Sequence, residues 1–326
     1  MALNRPWTGS GVPTVNRRVG ASTQSRASVR STPTPTRLRP SVRQSIESMG
    51  SQAEYFRPEQ TIILLDWDDT LCPSNWIREA RPALNFFRPA PNEERYQRPL
   101  RELQHHVERL LRSAMAMGKV VIVTNATDPW VETSCRNFLP ALVPIVSCLP
   151  VIYARSIFDT QSCERPSSKR PSPNSGLALP GLYSASGQNR LTSGRLSLQQ
   201  QQQQQQQQFD ELAPQRWKEV AFEQEIAGFY SRYARQSWKN VLSIGDSVFE
   251  RDAVRRVVVN RPNMEKRCRT KTVKLLDEPE IDELISQVCV VHDAMGMLVQ
   301  YDGNLDIEID EEDLVGDAAL VEQLVT

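Results

Sequence analysis

Residues 61–76 read TIILLDWDDTLCPSNW and hold three carboxylates within four positions: Asp66, Asp68 and Asp69. These repel one another, and a turn or a helix cap uses one of them, two at most. Crowding of this kind at the end of an apolar run is expected where something positive is held among the oxygens. Two more places repeat the pattern of an apolar run ending in polar groups. KVVIVTNA (119–126) runs into Thr124 and Asn125, and NVLSIGDS (240–247) into Gly245, Asp246 and Ser247, with Glu250 one turn further on. Gathered with an ammonium such as that of Lys218, these side chains make a charged site suited to a cation.

The elements that must gather them follow from hydrophobic periodicity. TIILLD (61–66) reads as a buried strand. RPLRELQHHVERLLRSAMAMG (98–118) reads as an amphipathic helix, with Leu100, Leu103, Val107, Leu110, Leu111 and Ala114 on one face and Gly118 as its stop. A second strand at 119–126 is followed by DPWVETSCRNFLPALVPIV, whose Asp-Pro suits a helix entry, and LPVIYAR (149–155) is a third strand. APQRWKEVAFEQEIAGFYSRYARQ (213–236) reads as a helix with Pro214 near its start. A fourth strand at 240–247, a helix over ERDAVRRVV and a fifth strand, RTKTVKLL (269–276), complete the alternation. Strands rich in Val and Ile separated by helices predict a mostly parallel sheet covered on both faces.

In such sheets ligands sit beyond the carboxyl ends of the strands. Asp66, Thr124 and Asp246 all fall there. A helix starting near Pro214 runs antiparallel to the strands, so its first turn, with Lys218, is expected at the same edge. Lys239 precedes the fourth strand and belongs at the opposite edge.

Rival readings are weaker. As a calcium loop, DWDDTLCPSNWI fails at its sixth position, Leu71 in place of glycine, and at its twelfth, Ile77 in place of glutamate. Asp69 is left to capping. DGNLDIEIDEED (302–313) also lacks the sixth-position glycine, and its alternating Leu305, Ile307 and Ile309 predict an edge strand with an acidic tail. His105, His106 and His292 show no metal-ligand spacing. Cys72 is expected in a flap beside the first motif.

Asp66-Trp67-Asp68-Asp69-Thr70-Leu71, VVIVT, a lysine at a helix start and GDSVFE, in that order, resemble the four motifs of the haloacid dehalogenase (HAD) superfamily of magnesium-dependent phosphatases and phosphotransferases. The resemblance covers about Gln60 to Leu276. It implies a HAD-like Rossmannoid three-layer α/β/α sandwich. It also implies Mg2+ held by the side chains of Asp66 and Asp246 and the main-chain oxygen of Asp68. Asp66 is then the nucleophile, forming an aspartyl-phosphate that water cleaves. Asp68 is the general acid and base, and Lys218 and Thr124 hold the phosphoryl oxygens. Asn125 and Glu250 stand behind them; Glu250 replaces the aspartate usual in the family, with a side chain long enough to reach Lys218 or a metal-bound water.

On this reading the chain is a phosphomonoester hydrolase, and a phosphotransferase would use the same site with another acceptor. Little sequence separates the first motif from the helix at 98, which implies a capless, open site suited to a bulky substrate such as a phosphoprotein. The alternative is a scaffold that keeps the fold and binds phosphate without turnover.

The rest of the chain bounds this reading. Lys plus Arg and Asp plus Glu both number 39, yet up to Ser45 there are eight arginines and no acid, and beyond Lys274 fifteen acids and no Lys or Arg. The expected organisation is a disordered Arg/Ser/Pro-rich arm (1–55) and a core in two parts (56–160 and 209–326, the latter with the acidic end). A low-complexity insertion, 161–208, ends in Gln199 to Gln208. Weak, salt-dependent contact of the arm with nucleic acid is the most that Trp7, the single aromatic up to Ser45, supports. No apolar stretch approaches the roughly 20 residues of a spanning helix, and the six cysteines form no CxxC pair. A cytosolic or nuclear protein is expected, with no membrane partner. Mitochondrial import is the lesser expectation: the start is Arg- and Ser-rich but broken by prolines.

Overall fold

The apolar runs become strands β1 (Thr61–Leu65), β2 (Lys119–Thr124), β3 (Val151–Tyr153), β4 (Asn240–Gly245) and β5 (Arg269–Lys274), joined by β6 (Leu305–Glu308). This computed structural model describes residues 52–164 and 198–314. The expected arm, apart from its last few residues, the middle of the insertion and the last twelve residues of the acidic end lie outside the described residues. The described residues fall within one unit, Ile46–Thr326.

The six strands form one sheet in the order β3-β2-β1-β4-β5-β6. Every pairing is parallel, with Ile63 flanked by Val120 and Leu242. The fold is therefore α/β and Rossmann-like. From β1 the chain moves outward through β2 and β3, then returns to place β4 on the other side of β1. That reversal opens a crevice at the carboxyl ends of β1 and β4, where sheets of this kind take ligands.

Among the described residues, eight α-helices accompany the sheet: α1 (Ser74–Glu79), α2 (Glu94–Met117), α3 (Trp130–Phe138), α4 (Val143–Val146), α5 (Ala154–Glu164), α6 (Leu198–Phe229), α7 (Val248–Val259) and α8 (Ile281–Gln300). Side chains alternate across a strand, so β1 feeds two cores. Ile63 and Leu65 pack with Leu103 and Val107 of α2 and Val288 and Val291 of α8. Ile62 and Leu64 pack with Phe222 and Ile226 of α6 and Val254 of α7. The result is three layers, helices on both faces of the sheet.

The six apolar residues expected on one face of α2 are all buried. The helix begins earlier than its pattern suggested, because Pro99 sits near enough to its start that only one carbonyl loses a partner. The helix expected after Asp128-Pro129 is divided into α3, a 3-10 turn (Pro140–Leu142) and α4, since Pro140 and Pro144 cannot continue a helical ladder. The third strand shrinks to three residues at the sheet edge, and α5 follows directly. The acidic segment at 302–313 does supply an edge strand, β6.

The largest departure is α6. It starts at Leu198 and not near Pro214, which lies in its interior. Glutamine is a good helix former, so the run from Gln199 to Gln208 carries the helix upstream of the proline. The expected insertion is thus helical at both ends, through Glu164 and from Leu198.

At the amino edge of the sheet lies a buried lysine, Lys271 of β5, fully shielded from solvent. Its ammonium donates to Asn240 Oδ1 and, at 3.4 Å, to the Val299 carbonyl, neither of them anionic. Burial, with Arg269 adding to it, pushes its pKa down to about 7. In the unfolded chain an ordinary lysine keeps its proton to about 10.4. The unfolded state therefore binds more protons between pH 7 and 10, and the stability this lysine allows above that window is lost as pH falls through it. Lys271→Met removes the linkage. Its stability relative to the parent should fall by about 2–4 kcal/mol between pH 7 and pH 10. Urea denaturation at both pH values checks this, and a constant difference would refute it.

Candidate active site

Asp66 is the first residue beyond β1. Its N–H donates to the Ile244 carbonyl at 3.0 Å, which carries the strand pairing one step further and sets the carboxylate beside the end of β4. Lys218 Nζ donates to Asp66 Oδ1 at 2.8 Å and to the Val123 carbonyl at 2.6 Å, and it pairs with Glu250 Oε1 at 2.9 Å. An ammonium has three N–H groups, so all are engaged. The expected convergence of Asp66 and Lys218 is present, but Lys218 reaches it from the interior of α6, roughly five turns from the helix start, and not from a first turn.

β4 delivers the second carboxylate. Asp246 follows Gly245, and Thr70 Oγ1 donates to its Oδ1 at 3.4 Å. One oxygen each of Asp66, Asp246 and Glu250 lies within 4.8 Å of the others. Glu250 is fixed by the start of α7: Ser247 Oγ accepts from Phe249 N–H, and Glu250 Oε2 accepts from Ser247 N–H at 3.2 Å. This closes a capping box. A Cβ at position 245 would stand 2.6 Å from Glu250 Cγ, so only glycine there lets Glu250 fold back onto Lys218. Glu250 thus reaches the lysine, as its length suggested.

Three carboxylates crowd together beside one ammonium that pairs with two of them, Asp66 and Glu250, and their protonation records the imbalance. Burial raises the Asp66 pKa to about 7 against the pull of Lys218, with Glu250 and Asp68 adding to the rise. Asp246 is pushed to about 9 by burial and then by Asp66, Glu250 and Asp69. Burial disfavours the charge on Lys218, but Asp66 and Glu250 outweigh it and hold its pKa above that of an ordinary lysine. Oxygen ligands, close carboxylates and unrelieved repulsion between them fit a hard divalent cation. This acidic trio could hold a metal ion.

Asp68 faces elsewhere. Ser74 Oγ donates to its Oδ1 at 2.5 Å, Trp130 Nε1 donates to the same oxygen at 2.6 Å, and Thr124 Oγ1 donates to Oδ2 at 3.2 Å. Its side chain is not part of the acidic trio, whose third carboxylate is Glu250; the contribution expected of Asp68 is its main-chain oxygen. Thr124 ends β2 as expected, and its hydroxyl also accepts from Ala126 N–H at 3.0 Å. Asn125 leaves Oδ1 buried with no hydrogen-bond partner, an acceptor available to a ligand donor.

Asp69 has the capping role expected of it: with φ at 49° it turns the loop, and its carboxylate accepts from Asn75 N–H at 2.7 Å. Lys239 is buried beside the start of β4, at the opposite edge. Cys72 is no flap residue. It is fully buried in the core beneath the loop, and burial raises its thiol pKa well above the ordinary value. The three histidines lie on α2 and α8, where His106 Nδ1 is 3.0 Å from Cys289 Sγ.

Ser74 and Trp130 were not among the side chains expected here. The signal for Trp130 was its place at a helix entry shortly after Thr124, in a segment leaving the same sheet edge. Compared with protein-family models, with curated proteins and with solved structures, the chain gives no significant match.

Proposed function

We propose that the chain is a magnesium-dependent phosphomonoester hydrolase of the HAD type, acting through an aspartyl-phosphate. The observation that carries this reading is the pairing of Asp66 and Asp246 at the ends of adjacent strands β1 and β4, with buried Lys218 2.8 Å from Asp66. Asp66 attacks phosphorus, the ester P–O bond breaks, and the leaving oxygen takes a proton from Asp68. Water then attacks phosphorus, returns a proton to Asp68 and frees the Asp66 carboxylate with inorganic phosphate. Lys218 and the Thr124 hydroxyl hold phosphoryl oxygens, each giving up one of its present partners to do so. Asp66 and Asp246, with the Asp68 main-chain oxygen, would hold Mg2+, which when bound would neutralise charge where two anions must meet.

Between β1 and α2 stand only the short α1 and a loop, which supports an open site and a bulky substrate such as a phosphoprotein. The set of donors on Asp68 argues against a non-catalytic scaffold, which has no use for an oriented acid. The test is phosphate release by the full chain from an aryl phosphate and from phosphopeptides, with magnesium and with chelator. Magnesium-dependent release is expected; none from any ester in the presence of magnesium would overturn the reading.

A further inference from the structure

Asp68 is held by a constellation that the proposed chemistry does not by itself explain. Both Trp130 and Ser74 donate to Oδ1, at 2.6 and 2.5 Å, while Oδ2 has only the Thr124 hydroxyl, at 3.2 Å. An indole N–H is a donor only, so the Trp130 contact cannot reverse its direction. A hydroxyl has one proton. If Thr124 turns that proton to a phosphoryl oxygen, Oδ2 loses its partner while Oδ1 stays bound twice.

Trp130 is itself firmly set. Its N–H donates to the Thr127 carbonyl at 2.9 Å at the entry of α3. Its carbonyl accepts from Ser134 Oγ at 2.7 Å, and Ser134 Oγ in turn accepts from Trp67 Nε1 at 2.8 Å. Trp67 lies between Asp66 and Asp68, so α3 is tied to the first motif by two separate links. Phe86 meets the Trp130 ring edge-on, with centroids 5.0 Å apart. The indole has almost no freedom to follow a moving carboxylate.

We propose that Trp130 is a positioning residue for proton transfer: with Ser74 it anchors Asp68 Oδ1 and leaves Oδ2 as the atom that gives and takes the proton. This rests on the hydrolase reading. In the first step the P–O bond to the leaving group breaks and the leaving oxygen takes the proton from Oδ2. In the second, attacking water gives a proton to Oδ2 as the P–O bond to Asp66 breaks. The proton that leaves Oδ2 in the first step is returned to it by water in the second, so no other reactant is needed.

Leaving groups separate this role from simple packing. A 4-nitrophenolate departs without a proton, whereas an alkoxide needs one. Trp130→Phe keeps the ring and removes only the donor. Losing one hydrogen bond to a charged group should lower kcat/KM, which reports the steps up to departure of the leaving group, roughly 10- to 100-fold for an alkyl phosphate. For 4-nitrophenyl phosphate the change in kcat/KM should stay within about threefold, since its departure needs no acid; kcat is not compared, because water attack on the shared aspartyl-phosphate uses Oδ2 for both esters. Ser74→Ala acts on the same oxygen and should show the same split, which keeps the test available should Trp130→Phe fold poorly. Equal losses on both esters, or none on either, overturn the assignment. Absence of release from both esters by the unaltered chain overturns the hydrolase reading, and this inference with it.

Discussion

Asp66→Asn is expected to end phosphate release while making the metal-free protein more stable. An amide is no nucleophile toward phosphorus, and loss of the attacking group in covalent catalysis costs at least about 10⁴-fold. Stability moves the other way because Asp66 stands among carboxylates that outnumber their cation. Burial raises the Asp66 pKa to about 7, and Asp246 beside it is raised to about 9. Unfolded aspartates titrate near 3.9. The folded state thus binds more protons than the unfolded state between roughly pH 4 and 9, and stability falls as pH rises through that window. Asparagine removes one buried negative charge and keeps an oxygen for Lys218. In chelator at pH 8 the variant should gain about 1–3 kcal/mol, or a few degrees in Tm, and the gain should vanish by pH 4. Thermal melts in chelator across that range measure it. A variant no more stable than its parent at pH 8 would contradict the electrostatic account, whatever its activity.

Lys218→Met should be costly on both counts. The ammonium is fully buried and divides its three N–H groups among Asp66, Glu250 and a carbonyl. Its removal leaves two buried carboxylates facing each other without a countercharge, and breaking a buried ion pair from one side typically costs about 3–5 kcal/mol. Activity should fall by a further factor of about 10³, since the cation that would hold the phosphoryl oxygens is gone. The origin of the stability loss can be isolated. If it is uncompensated charge, combining Lys218→Met with Asp66→Asn should recover at least about 1 kcal/mol relative to the sum of the single effects. Urea midpoints of the four proteins close the cycle; strict additivity would show that Lys218 acts through packing alone.

Both expectations rest on residues that the sequence pattern had already marked, and the reason is physical. A parallel sheet turns a linear feature, the polar residue just beyond an apolar run, into a shared location. Asp66, Thr124 and Asp246 could therefore be placed together without knowing the strand order. That order is decided by side-chain packing across two separate cores, which no local pattern records. Lys218 falls at the edge its pattern predicts, but not through a first turn: a proline marks a helix start in sequence, whereas the glutamines upstream are themselves helix formers and carry α6 back to Leu198. Trp130 escaped because its contact with Asp68 spans 62 residues and depends on the divided helix after Pro129. The burial of Cys72 is not legible locally, because the first motif reads as an exposed loop while Leu71 and Cys72 plunge back into the core.

The continuity of α6 has a consequence for length variation. Gln199 to Gln208 and Lys218 belong to one helix, and the portion from Ala221 onward is clamped into the core. Each residue added to the run would carry the entry of the helix at Leu198 about 1.5 Å further out and turn it by about 100°. The lysine end would not move. The tract therefore works as a screw-threaded spacer: its length sets how far the helix start stands from the sheet and which way it faces, while the geometry around Lys218 stays indifferent to the count.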